Sequence, residues 1–526
     1  MISVHELMGE IESLGAAADR LERFRAGLYG CFGRWADAQF EIVDALAGAG
    51  GPFRSVAELT LQPSGRRGWG SFYQGLEHGE IDADRLSQLL VGQVVSGRGD
   101  GLVMFAVDAS KYPRPHTRYV PDVGWQYTKA ADGVTATAVP GWMMQWVAQV
   151  ALPGPGTPAD KDTPADKDTP AGGGGALVGP PRDSWALPVH VARVGTAANA
   201  NEVAAEQIAA VSDRLPAGLR PLFLLDGGYC PIYLTQHRPA RAQLLVRLRM
   251  DRVFFGPPPA PTGAVGRPPT HGARFALNEP DTWGSPDADL RWEQDGDQIR
   301  VRAWHHKHPA PRPRRKWTGT DPVEGTLILR EVIPASSAPS ASSAPRPDRC
   351  TSAGQHDSGP GDAGRVGPVL WMWWSGPEQD FDLDVVAHAY RHRFTIEHGF
   401  RFIKQDMRWT SHTPLNPEQA ERWTHLIAAA WAQLHLARPL AGADRLPWEP
   451  VRALAQLSPR RIRQGFRRTT ASLPSPARAP KSRRPGPGRP PGSPNKTTRT
   501  PQKVIKKGRL PNTGYPKGTS PRATRP

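Results

Sequence analysis

Apolar residues recur at helical spacing over 14–28 and 40–46, and a further helix is predicted over 84–95, with Asp82 or Asp84 as its N-cap. Gly50, Gly51 and Pro52 break the first group from the second. The period then changes. Gly101-Leu-Val-Met-Phe-Ala-Val-Asp108 is an unbroken apolar run ending in an acid, with Pro113 and Pro115 beyond it. That is the pattern of a buried strand. Strands are predicted at 142–152 and 185–194, a helix at 199–215, and a second acid-tipped strand at 221–226. Strands, a helix and another strand describe an α/β layer. Residues 243–334 read as β-rich, with strand patterns at 243–255, 298–304 and 325–333. One more strand, 369–374, precedes a long helix at 381–407 and further helices at 418–436 and 449–466.

Two segments interrupt this pattern. Thr157-Pro-Ala-Asp-Lys-Asp162 repeats at 163–168 and leads into four glycines. It cannot bury apolar surface and reads as a flexible loop over 153–180. A second linker, rich in Ser, Pro, Ala and Gly, covers 336–367. The expected organisation is a helical N-terminal domain (1–95), a first part of the α/β core (96–240), a β-rich insertion (241–368), a second part of the core with C-terminal helices (369–467), and a disordered tail (468–526).

Composition sharpens this picture in three places. The chain of 526 residues carries 54 Gly and 56 Pro, so part of it is not packed core. Its apolar stretches fall short of the roughly 18 residues of a membrane span. Glu6, Glu10 and Glu12 leave no basic-then-apolar leader, so a cytoplasmic protein is expected. Cys31, Cys230 and Cys350 show no paired spacing, which argues against a disulfide scaffold or a zinc finger. The net charge is +16, and 15 of the 66 Lys and Arg, with no Asp or Glu, lie in 468–526. Such a block reads as an arm for polyanions. A GC-rich gene would give the same Arg, Pro, Gly and Ala bias.

Candidate chemistry lies at the strand ends and on the long helix. Asp108 and Asp226 could converge outside the sheet, where hard divalent cations take oxygen ligands. Either aspartate alone is equally a turn former. On the helix, Tyr390, Arg393, Glu397 and Lys404 fall within an arc of roughly 60°, with Arg401 just beyond it. Ile396, Phe400, Ile403 and Met407 form an adjacent apolar stripe. A solvated face with salt bridges would account for the charges as well.

The spacing Tyr-x2-Arg-x3-Glu-x6-Lys resembles the Y-R-E-K signature of the bacterial insertion-sequence DDE transposases, in the RNase H-like superfamily. Asp226-x-Gly228-Tyr229 is similar to that family's segment around its second aspartate. The resemblance covers roughly residues 100–435. It implies an RNase H-like catalytic core with a β-rich insertion ahead of the helix that carries the last acid. It further implies that Asp108, Asp226 and Glu397 are catalytic and hold two Mg²⁺ or Mn²⁺ ions. Tyr390, Arg393, Arg401 and Lys404 would contact DNA. The partners would be double-stranded DNA, at element ends and target, and a second copy of the chain in a homodimer, with no membrane. Localisation would be cytoplasmic and nucleoid-associated. The competing readings are a repurposed, inactive relative that only binds DNA, and a nuclease that cuts without joining.

Weaker signals remain. His305, His306 and His308 lie in a basic, Trp-flanked segment at 304–317, which suits DNA contact, a metal or a plain solvated loop. Gly488-Arg489-Pro490 resembles an AT-hook core, making Arg489 a candidate minor-groove contact. Trp125, Trp142, Trp146, Trp371, Trp373 and Trp374 read as core aromatics, and Cys230 as a small buried residue.

Overall fold

The N-terminal residues form five helices: α1 (Val4–Tyr29), α2 (Ala36–Gly48), α3 (Val56–Leu59), α4 (Trp69–His78) and α5 (Ala83–Val91). Asp82 caps α5 through the Arg85 amide, and the helix stops at Gly92, short of the predicted 95. These are features of a computed structural model that describes residues 4–115, 119–129, 136–151, 185–260, 271–294, 297–309, 323–333, 369–441, 457–471 and 473–481, with isolated positions 448, 492, 501–502 and 504–505. The repeat at 157–168, the linker at 336–367, Cys350 and Arg489 lie outside the described residues.

The chain divides into two units, Met1–Leu245 with His388–Pro526, and Val246–Ala387. In the first, a mixed sheet is built from β1 (Leu102–Pro113), β2 (Gly124–Lys129), β3 (Ala136–Val150), β4 (Leu187–Arg193), β5 (Arg220–Leu225) and β6 (Gln243–Arg247). The order is β2-β3-β1-β5-β6, with β4 also on β3. β1 runs antiparallel to β3 and parallel to β5, in a register that sets Val107 beside Leu225. α6 (Ala200–Arg214) supplies the crossover into β5, opened by a capping box between Asn199 and Glu202. α7 (Pro231–His237) follows β5.

The predicted single helix at 381–407 is three pieces. These are α8 (Leu383–Ala389), a 3₁₀ turn at Tyr390–Arg393 and α9 (Phe394–Gln405). The apolar stripe is buried as expected: Ile396, Phe400, Ile403 and Met407 are each at most 8% exposed. Trp146 of β3 is the hub beneath α9, edge-on to Phe400 and Trp409 and tilted against Trp431. Trp431 belongs to α10 (Pro417–Ala437), against which α1 and α2 also pack. A Cβ at Gly399 would overlap the Trp431 ring, so only glycine lets α9 and α10 approach this closely. α11 (Pro459–Thr469) is tied to α2 and the loop after it by Arg463, which donates to the carbonyls of Leu46 and Gly51. The N-terminal part of the helix expected at 449–466 lies outside the described residues.

The second unit is antiparallel: β7 (Val253–Phe255), β8 (Arg274–Ala276), β9 (Ala288–Gln294), β10 (Asp297–Pro309), β11 (Gly325–Ile333) and β12 (Leu370–Ser375). The single strand expected over 243–255 is therefore two, parted at 248–252. Phe275, Trp283, Trp304 and Trp371 pack together as its aromatic core. The three histidines of β10 take different partners. His305 meets Thr326, His306 meets Glu324, and the buried His308 meets His271 at 2.9 Å. Trp142, Trp146, Trp371, Trp373 and Trp374 are buried as read, but Trp125 is 40% exposed on β2. Cys230 is half-buried rather than buried.

Candidate active site

The parallel pairing of β1 with β5 ends at Val107 and Leu225, and an aspartate follows on each side: Asp226 just past β5, and Asp108 within β1, which runs on to Pro113 rather than ending at its acid as expected. Asp108 is the first β1 residue to leave the fully buried stretch, opposite Trp146 on β3. Asp226 directly follows β5. A tight turn holds it: the Gly228 amide donates to its Oδ1 at 2.9 Å and the Tyr229 amide to its carbonyl at 3.3 Å. A Cβ at Gly228 would lie 3.0 Å from that Oδ1, so glycine keeps the carboxylate folded onto the turn. The Cys230 amide donates to Asn201 Oδ1 at 2.7 Å, anchoring the turn to α6.

Glu397 lies in the first turn of α9, a favourable place for a carboxylate. Its link to β1 is Arg393. That guanidinium donates to Asp108 Oδ2 at 3.2 Å and to Glu397 Oε1 at 2.6 Å. Arg393 is only 7% exposed and lies against the rings of Tyr390 and Phe394. Burial works against its charge, but Tyr390, Asp108, Glu397 and Asp226 more than offset this and hold its pKa above the usual value. Asp108 is pushed up to about 6, first by burial and then by Asp226 and Glu397, against the opposing pull of Arg393 and the Ala109 amide.

The remaining signature residues divide by exposure. Arg401 is exposed on α9 and Lys404 is half-buried. Burial holds Lys404 below the ordinary lysine value, while the Asp108 charge acts the other way. Tyr390 is buried. The expected single polar arc is thus split: Tyr390 and Arg393, in the 3₁₀ turn, are buried, while Glu397 and Arg401 face solvent. The sequence marks Tyr229 only as part of the Asp226-x-Gly228-Tyr229 motif. Its hydroxyl is buried, electrostatically coupled to Asp108 and Asp226, and has no hydrogen-bond partner among the described residues.

The donor chemistry fits a hard divalent cation. Three carboxylates, one within β1, one just past the adjacent β5 and one on α9, crowd enough like charge to help raise one of them. Even so, among the described residues no group of three or more His, Cys, Asp or Glu that could hold a metal is gathered, and Glu397 is paired with Arg393. No helix among the described residues is long and apolar enough to cross a membrane.

A family model described as DDE superfamily endonuclease matches residues 27–311, just over half of the chain, and the chain belongs to this family. It is therefore a DDE transposase-type protein and a nuclease by class, on a mixed α/β fold. The match spans Asp108 and Asp226 and ends before Glu397. A comparison with curated proteins found no match.

Proposed function

We propose that this chain is an insertion-sequence DDE transposase. On an RNase H-like core, it cuts DNA at element ends and joins the freed ends to target DNA. The observation that carries this reading is the pair of aspartates just past the last paired residues of the parallel β1–β5 ladder, joined through Arg393 to the glutamate of α9. Asp108, Asp226 and Glu397 would hold Mg²⁺ or Mn²⁺, two ions in the full site. When bound, such ions activate water for the nick and then the freed 3′-hydroxyl for strand transfer.

The chain's own residues do the rest. Tyr390, Arg393, Glu397 and Lys404 are the Y-R-E-K set. Lys404 and Arg401 give the acidic site a basic rim, without which it would repel a polyanion. An Arg offers phosphate a two-pronged donor and a Lys a point charge. The 468–526 tail, with Arg489, adds general affinity for DNA. Hydrolysis is followed by transesterification, with no covalent enzyme–DNA intermediate. Two chains pair two element ends in one complex, in the nucleoid.

An excision assay tests this. The gene with its native flanks is placed on a donor plasmid, and the empty donor site is amplified. Empty sites are expected with the intact protein and none with Asp226→Ala or Glu397→Ala. Excision that survives either substitution removes that residue from the catalytic set. DNA binding without any excision by the expressed intact protein overturns the transposase reading.

A further inference from the structure

We propose that Arg393 is a built-in counter-ion that a divalent cation has to displace from Glu397, so that metal binding at the acids waits for DNA; this rests on the metal-acid reading above. The guanidinium spans two carboxylates, Glu397 four residues on and Asp108 285 residues back in the chain, and it is almost wholly buried between them. An Arg is not deprotonated at working pH, so this charge can be moved but not titrated away. While it stays, a divalent cation among the acids meets a fixed positive charge at contact distance, and Glu397 is already committed.

The two ends of the bridge differ. Asp108 is 20% exposed and sits on a central strand, whereas Glu397 is 44% exposed on a helix surface. Arg393 closes the 3₁₀ turn and is the N-cap of α9 but makes no side-chain cap bond, so its side chain can turn while the α9 backbone stays in place. The Glu397 end therefore opens first. A DNA phosphate offers the guanidinium a replacement partner with the same two-pronged geometry. Once Arg393 turns to phosphate, Glu397 is free to join the two aspartates. By linkage, DNA then raises cation affinity and the cation raises DNA affinity by the same factor.

The test is Mn²⁺ binding by the full chain, followed by electron paramagnetic resonance of the free ion. It is run with and without a duplex taken from the gene's flanks, after subtracting Mn²⁺ held by the duplex alone. The intact protein should bind Mn²⁺ about tenfold more tightly with the duplex. Arg393→Gln should bind without duplex as tightly as the intact protein does with it, and Arg393→Lys should keep part of the DNA dependence. Equal affinity of the intact protein with and without duplex overturns the proposal, and that arm needs no variant to fold. Weaker Mn²⁺ binding by a folded Arg393→Gln overturns it as well. Asp226→Asn separates the two readings: undiminished Mn²⁺ binding by this variant sinks the metal-acid site itself, whatever Arg393 does.

Discussion

At Tyr229 a phenol is buried beside two carboxylates without a hydrogen-bond partner among the described residues. A buried donor left unmade is costly, so Tyr229→Phe should raise the stability of the free protein by about 1 kcal/mol in a denaturant melt. If the same variant loses DNA cleavage while gaining stability, the hydroxyl is held for substrate. A loss of stability would mean that it is bonded after all. Individual acids were legible in the sequence because a strand's apolar run ends visibly, as at Val107-Asp108 and Leu225-Asp226. The role of Arg393 was not legible. Its helix spacing points to Glu397, four residues on, but its other partner is on β1 and is brought there only by the fold.

At the scale of elements, α9 is fixed by close packing rather than by its caps: neither of its flanking residues makes a side-chain cap. Gly399 is the contact point. Gly399→Ala would push α9 off Trp431 and should cost about 1–3 kcal/mol, the usual range for overpacking. Cleavage should fall further than stability does, because Glu397 rides on the same helix. A variant with unchanged melting and cleavage would show that α9 and α10 have room to spare. The break ahead of α9 escaped the sequence for a physical reason. Helical periodicity is nearly the same for α and 3₁₀ turns over four residues, and Tyr390–Arg393 is wound tighter where it meets β1 and β5. Strand order was similarly hidden, since apolar runs announce strands without saying which neighbours they choose. Trp125 shows the same limit, because nothing local marks β2 as a strand whose tryptophan stays partly in solvent.

For the whole molecule, buried histidines set the response to acid. Burial holds His190, His392, His412 and His425 at about 4 and His435 at about 3, against an ordinary 6.5. The unfolded chain therefore binds more protons than the folded one between these values. The stability they confer is present above pH 6.5 and is lost as pH falls toward 4. Asp108, raised to about 6 from 3.8, and Glu41, raised by burial, act in the opposite sense, but they are two groups against these five histidines. The melting temperature should fall steadily from pH 7 to pH 4, and a flat profile would show that these rings are hydrated in the native state. The basic tail makes a separate prediction. Deleting 482–526 should weaken duplex binding and flatten its dependence on salt, as fewer counterions are released. An unchanged salt slope would place the DNA contacts elsewhere.

The two aspartates and the glutamate are separated by a complete folded unit, Val246–Ala387, written into the chain between them. Protein synthesis therefore makes the site in two instalments. After Asp226 emerges, the ribosome has 171 more residues to add before Glu397 exists, on the order of ten to thirty seconds at ordinary elongation rates. Throughout that interval the nascent chain carries β1 and β5 with both aspartates and no α9. A message broken or stopped within the second unit would yield a protein with the N-terminal helices and an unfinished set of acids. On the proposed reading of the acids, such a product would be unable to cut DNA.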